Sequence, residues 1–345
     1  MAKIVIIGAG AMGTAFAYPC IDNNHDVSVV GTYLENKSIE QLKNNSFHSS
    51  LNVEVSKSIK FFKHESITDL FKIMPDLVII GVSSKGIEWV SEELKKISKD
   101  GKLPKLLMLT KGLSIFENNY ELLVEKLERL FSNKNIKKIN LSVVGGPCLA
   151  SGLAKRVHSS VIIANKDIDR AKILSKMLST DYYHVSASSD LNGVEVCAAI
   201  KNIFSMIIGA APGLNKIKSQ GNFYLNTSAA LLKQSIYEME IFVEFLKGKK
   251  DTVKGLAGLG DLFVSAAGGR NSKMGSYIGD GINFSTAKKT KMPNVTIEGA
   301  ELILEIGKKI KEDFDDKKLP LMIAMINSIL EDKKLDIKWK NFKQD

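Results

Sequence analysis

Hydrophobic positions in the first half of the chain fall into short β-branched runs, separated by stretches in which apolar residues recur at helical spacing. Short continuous apolar runs bounded by turn residues predict buried strands, and the 3.6-residue periodicity between them predicts amphipathic helices. The predicted strands are Lys3–Ile7, Asp26–Val30, Asp76–Gly81, Lys105–Leu109, Asn140–Gly145 and Ser159–Ala164, with Ser58–Lys63 as an extra one. Helices are predicted over Ala11–Asp22, Ser84–Ile97, Asn119–Phe131 and Asp167–Leu178. Strands alternating with crossover helices build an α/β, doubly wound parallel sheet.

The pattern changes after Ser189. Leu191–Ala210, Tyr224–Leu246, Ser272–Gly279, Gly299–Glu312 and Pro320–Glu331 carry helical periodicity, and no run among them reads as a strand. An all-α C-terminal domain over residues 189–345 is therefore expected to follow an α/β domain over residues 1–188. The segment Ser186–Ser189 supplies the turn between them, and a helix cap before the next apolar run. Lys333–Asp345 is lysine-rich and reads as a frayed tail.

At 345 residues and 44% hydrophobic content the chain can bury a large core. No apolar run approaches the roughly 20 residues that cross a bilayer, so no membrane span is expected. Cys20, Cys148 and Cys197 stand far apart, with no paired spacing and no histidine cluster beside them. That usage points to neither a disulfide framework nor a metal site, and fits the reducing cytoplasm. The net charge of +10, from 48 Lys plus Arg against 38 Asp plus Glu, favours anionic partners. The lysines are scattered without a basic stripe or reader motif, which argues against nucleic acid. Only Arg129, Arg156, Arg170 and Arg270 carry guanidinium, and Arg270 stands out because it lies beside glycines and an asparagine.

The first strand runs directly into Gly8-Ala9-Gly10-Ala11-Met12-Gly13 and then a helix, a G-x-G-x-x-G pattern in the setting of a Rossmann-type fold. Gly8 permits the sharp turn and Gly10 lets backbone approach a pyrophosphate. Gly13 lets the helix pack on the strand, while the amides around Ala11 and Met12 attract the anion. Thr32 falls about 20 residues beyond this loop, where NAD-using sites often carry a carboxylate for the ribose. With threonine there a 2′-phosphate meets no repulsion, so NAD or NADP is expected, with a lean to NADP. Glu35 could still reach back to that place, and Lys37 could assist a phosphate.

Four further segments carry polar groups that core packing does not explain. Lys111, in Thr110-Lys111-Gly112, follows a strand and projects from the carboxyl edge of the sheet, where ligands bind in open α/β folds. Lys201-Asn202 interrupts a helix that is apolar nearly all round; an interior ammonium is costly unless paired or functional. Gly255–Asp261 and then Ser265 lead to Gly268-Gly269-Arg270-Asn271, which combines a bidentate cation with helix-opening amides and suits a phosphate group. Asp261 is the carboxylate available to orient Lys201.

Taken together, GAGAMG at 8–13, TKG at 110–112, GGPCLASGLA at 145–154, the Ala-Ile-Lys-Asn helix, GLAGLGD at 255–261, Gly-Gly-Arg-Asn at 268–271 and Ile-Glu-Gly at 297–299 resemble the NAD(P)-dependent glycerol-3-phosphate dehydrogenases over nearly the whole chain. The resemblance implies reversible reduction of dihydroxyacetone phosphate to sn-glycerol 3-phosphate, in glycerol phosphate metabolism or glycerophospholipid precursor synthesis. It makes Lys201 the general acid, with Lys111 and Asp261 beside it. It puts Lys111, Asn202, Ser265, Arg270 and Asn271 on the substrate, and Gly8, Gly10, Ala11, Met12, Gly13, Thr32, Lys111, Arg270 and Glu298 on the cofactor. No metal is implied, and a homodimer is the expected assembly. Cys148, Leu149 and Gly152 depart from the residues usual after the family's Gly-Pro, and Asn226–Ser235 lacks an arginine-glycine often found near its end. Two alternatives compete: a dehydrogenase of another phosphorylated hydroxy compound, and a non-catalytic dinucleotide-binding sensor.

Overall fold

The computed structural model describes residues 1–98, 101–132, 136, 139–215 and 224–344. The chain divides into two compact units, residues 1–111 with 123–191, and residues 112–122 with 192–345. The division thus falls after Leu191, and a short excursion from the first half belongs to the second unit.

Twelve strands are present among the described residues: β1 Lys3–Ile7, β2 Asp26–Val30, β3 Phe47–His48, β4 Val53–Glu54, β5 Ile59–Phe62, β6 Leu77–Ile80, β7 Lys105–Met108, β8 Leu113–Phe116, β9 Asn119–Leu122, β10 Leu141–Gly145, β11 Ser159–Ala164 and β12 Tyr183–Ser188. Eight form the sheet of the first unit, in the order β12-β11-β10-β7-β6-β1-β2-β5. The strand order reverses between β1 and β6, which makes the crevice at their carboxyl ends the topological switch point where such folds bind ligands. Ile4–Ile7 and Leu77–Ile80 are fully buried. Strands covered by helices on both faces need apolar residues at every position, not at alternate ones.

Three details differ from the sequence reading. The sheet is not wholly parallel: β10 pairs antiparallel with β11, Val143 opposite Ala164 and Gly145 opposite Ile162. The boundary turn read over Ser186–Ser189 overlaps the edge strand β12, which is parallel to β11. Asn119–Phe131, read as one helix, is β9 followed by a helix over Leu123–Ser132. β8 and β9 form a hairpin whose tip residues Glu117 and Asn118 both have positive φ, 48° and 61°. Two left-handed residues in a two-residue loop are the turn whose twist matches flanking strands.

In the second unit the hairpin β8–β9 packs against a helix over Glu298–Asp313; every other element there is helical among the described residues. The helix Pro320–Leu330 starts on a proline, whose missing N–H costs nothing at that position. A continuous helical stretch, Leu191–Leu214, is long and apolar enough by composition to cross a membrane, contrary to the expectation that no such run exists; 94% of its apolar window is buried inside the fold. Residues 333–344, read as part of a frayed tail, are tied to the fold, and Asp345 lies outside the described residues. Ile337 is buried, the Lys343 N–H donates to Gln234 Oε1 (2.9 Å), and Asn341 Nδ2 donates to the Asp316 carbonyl (2.9 Å).

Candidate functional site

In the first unit the candidate site is the glycine loop at the switch point. Gly8 has φ +111°, and a Cβ on it would stand 2.7 Å from the Gly81 carbonyl oxygen. A Cβ on Gly13 would stand 2.1 Å from the Gly8 carbonyl oxygen. Both positions therefore admit only glycine. Gly10 differs. A Cβ there would meet only Glu35 Oε1, at 3.7 Å, so the face over Gly10 is open to a ligand. The helix Ala11–Asp22 begins at this loop with no side-chain cap on its first amides, and Thr14 is the first to bond back, to the Gly10 carbonyl (2.9 Å). Uncapped amides at a helix start and an open glycine are the cradle a pyrophosphate requires, so the loop fits a dinucleotide.

Glu35 folds back, and its Oε2 accepts from the Thr32 N–H (2.7 Å) and the Ala9 N–H (3.2 Å). Glu35, three positions beyond Thr32, reaches the loop across a turn, the option the sequence had left open. Lys111 follows β7 in the same unit; next to it Thr110 Oγ1 donates to the Val82 carbonyl (2.7 Å). Cys148, Leu149 and Gly152, where the chain departs from the family pattern, lie at the short helix Ala150–Ala154, which packs on Ala11–Asp22. Leu149 is exposed.

In the second unit Lys201 lies mid-way along the helix Leu191–Gly209 and is 7% exposed. Its Nζ donates to Asp261 Oδ1 at 2.5 Å and to Ser265 Oγ at 2.7 Å. Asp261 is 3% exposed. A buried ammonium and a buried carboxylate each offset the other's lost hydration, which neither could bear alone. Asp261 and Ser265 are four residues apart on the helix Asp261–Ala266 and so share a face. That helix is launched by a π-turn over Leu256–Gly260, in which Gly260 N–H donates to the Gly255 carbonyl, 3.1 Å. A Cβ on Gly258 would stand 2.1 Å from the Val253 carbonyl oxygen, which explains the glycine in the middle of this turn.

The phosphate-type groups sit on the next helix, Arg270–Gly279. Asn271 is a hub: its Nδ2 donates to Asn202 Oδ1 (3.1 Å) and Glu298 Oε2 (3.4 Å), and its Oδ1 accepts from the Gly299 N–H (2.9 Å). Arg270 is ion-paired with Glu298. The residues thus form two hydrogen-bonded sets, Lys201 with Asp261 and Ser265, and Asn202 with Asn271, Glu298 and Arg270, which meet at the neighbouring positions 201 and 202 of one helix. What the sequence reading missed is how they are brought together. A Cβ on Gly275 would stand 1.9 Å from the Met206 carbonyl oxygen, one on Gly279 2.3 Å from that of Ala210, and one on Gly209 2.3 Å from that of Ser272. These glycines let the two helices touch backbone to backbone. The four-residue spacing Gly275/Gly279, which puts both on one face, was the available signal.

Among the described residues no group of three or more His, Cys, Asp or Glu could hold a metal ion.

Comparison with known proteins gives the family of the chain. The family described as NAD-dependent glycerol-3-phosphate dehydrogenase N-terminus matches residues 3–171, and that described as its C-terminus matches residues 190–338. The chain is similar to the glycerol-3-phosphate dehydrogenase [NAD(P)+] of Phytoplasma mali, 31% identical with 85% of this chain and 83% of that one covered. It is also similar to the NADP(+)-dependent glycerol-3-phosphate dehydrogenase of Archaeoglobus fulgidus, 28% identical with 82% of each chain covered. In fold it resembles the Plasmodium falciparum glycerol-3-phosphate dehydrogenase structure, with TM-score 0.82 at 21% identity over all of this chain and 96% of the other. The chain belongs to the NAD(P)-dependent glycerol-3-phosphate dehydrogenase family, and is an oxidoreductase of nicotinamide dinucleotides.

Proposed function

We propose that this chain catalyses the reversible NAD(P)H-dependent reduction of dihydroxyacetone phosphate to sn-glycerol 3-phosphate. The observation that carries this reading is the buried Lys201 ammonium, held by Asp261 and Ser265, on the helix whose next residue, Asn202, bonds Asn271, which shares Glu298 with the guanidinium of Arg270. A proton donor beside an anion clamp suits a ketone with a phosphate tail. A dinucleotide, when bound, supplies the hydride. Lys201 gives a proton to the carbonyl oxygen as it becomes an alkoxide. Arg270 and Asn271 hold the phosphate, which fixes the carbonyl for attack. Asn202 and Ser265 keep the substrate and the ammonium oriented, and Glu298 holds Arg270 and Asn271 in place.

The reading extends to a homodimer in the cytoplasm; Cys20, Cys148 and Cys197, in no disulfide among the described residues, suit a reducing compartment. A sensor without catalysis is disfavoured by Lys201, since a protein that only binds has no need of an interior ammonium. Initial rates of NADH and NADPH oxidation with dihydroxyacetone phosphate test the proposal. Turnover that requires this substrate, with competitive inhibition by simple phosphate esters and none by carboxylates, is the expected result. Cofactor binding without turnover would overturn it, as would preference for a carboxylated substrate.

A further inference from the structure

We infer that Lys288 is a positioning residue of the phosphate clamp: its ammonium fixes the segment of chain that leads to Glu298, and through Glu298 it sets where Arg270 and Asn271 stand. The inference rests on the proposed reaction and adds to it a residue that belongs to none of the motifs above. Lys288 lies in the last turn of the helix Phe284–Thr290. Its Nζ donates forward to three backbone carbonyls, those of Met292 (3.1 Å), Pro293 (3.0 Å) and Val295 (3.0 Å). An ammonium has three N–H donors and accepts nothing, so these bonds use all that it has. Basic side chains near a helix C-terminus commonly serve the last carbonyls of their own helix. This one reaches past the helix to the chain that follows.

The segment has little else to hold it between its ends. Among the described residues, Val295 is the one amide of residues 294–297 that reaches a backbone carbonyl, that of Met292, at a long 3.4 Å. Met292 and Ile297 are buried, while Pro293, Asn294 and Thr296 are exposed. Directly beyond Ile297 come the groups that serve the clamp. Glu298 is paired with Arg270 and accepts from Asn271 Nδ2, and the Gly299 N–H donates to Asn271 Oδ1. The Arg270 and Glu298 side chains are 56% and 39% exposed, and an ion pair so open to water holds itself weakly. The place of Glu298 therefore comes from the backbone that bears it. On one side Gly299 seats that backbone against the Asn202 carbonyl oxygen, where a Cβ would stand 2.6 Å away; on the other, Lys288 ties it down. Met292 and Val295 also line one cavity with Gly268, Gly269 and Arg270, so the carbonyls that Lys288 holds belong to residues in the wall beside the guanidinium.

Losing the ammonium loosens the clamp and leaves the proton donor alone, so substrate binding weakens and the chemical step does not. Lys288→Met keeps the length of the side chain and removes its donors. Its KM for dihydroxyacetone phosphate is expected to rise about three- to tenfold, with kcat within about twofold of wild type and an unchanged NADH dissociation constant. Lys288→Gln should move KM in the same direction. Lys289→Met removes the same charge one residue along, from an exposed side chain, and should leave KM as it was. Hydrogen exchange at the amides of residues 292–299, read by mass spectrometry on the substrate-free enzyme, is independent of which substrate is used. Exchange there should be several-fold faster in both Lys288 variants and unchanged in Lys289→Met. A wild-type KM in the Lys288 variants would overturn the inference, and so would unchanged exchange, an equal KM rise in Lys289→Met, or a loss confined to kcat. If the wild-type enzyme does not turn over dihydroxyacetone phosphate, the proposed reaction falls, and the exchange rates still decide whether Lys288 holds the segment.

Discussion

An interior charge survives only where its neighbours replace the water it has lost, and two carboxylates of the second unit solve that problem differently. Asp261 does so with the Lys201 ammonium. Glu238 has no cation among its hydrogen-bond partners: it is fully buried, and its oxygens accept from the Leu321 N–H (2.8 Å), the Met322 N–H (2.9 Å) and Gln234 Nε2 (3.0 Å). It caps the first turn of the helix Pro320–Leu330 from outside that helix. Burial pushes the Glu238 carboxyl up to about 8, against the opposing pull of those donors. An acid raised in the folded state binds its proton more tightly there than in the unfolded chain. Stability from this group is therefore full below its ordinary value near 4.5 and is lost as pH rises through about 8. The loss across that window is on the order of a few kcal/mol. Thermal melts from pH 5 to 9 should show the decline in the wild-type protein and a flatter profile in Glu238→Gln. Equal slopes would show that Glu238 does not carry the effect.

Elements place the residues by how closely they approach. The helix bearing Arg270 and Asn271 touches the helix bearing Lys201 and Asn202 through Gly209, Gly275 and Gly279, and the Asn271–Asn202 hydrogen bond forms because nothing holds the backbones apart. Gly275→Ala puts a methyl 1.9 Å from the Met206 carbonyl oxygen, and one helix must move. The expected cost is about 1–3 kcal/mol of stability, and kcat/KM should fall with it because the clamp shifts against the ammonium. Gly268→Ala is the matched control. A Cβ there meets nothing within 4 Å, so its denaturation midpoint should stay close to that of wild type. Similar losses in both variants would refute the account of close helix approach.

For the molecule as a whole, what the sequence revealed and what it hid have separate physical causes. The strands β1, β2, β6, β7, β10 and β11 were legible because a sheet covered on both faces demands unbroken apolar runs, and Ile4–Ile7 supplies one. β12 was not, because Tyr183–Ser188 lies at the sheet edge and carries serines and a histidine in place of a run. The β8–β9 hairpin was hidden by helical spacing in Leu122–Phe131, although Glu117-Asn118-Asn119 held the turn signal. The site residues were legible through their chemistry, as glycines before a helix, a lysine in an apolar helix and an arginine beside glycines. Their grouping was not, since it depends on backbone contacts that only a fold reveals. Glu35 marks the same limit: the sequence offered its reach back to the loop as an option, and the fold supplies the hydrogen bonds to Ala9 and Thr32.

The account as a whole depends on Lys201 delivering a proton to the reduced carbonyl. The direct measurement is kcat for dihydroxyacetone phosphate reduction by Lys201→Ala, alongside its dissociation constant for NADH. The expected result is a fall in kcat of about 10²–10⁴-fold with NADH binding close to wild type, because the dinucleotide is assigned to the first unit. Near-normal turnover in a folded Lys201→Ala enzyme would contradict the account.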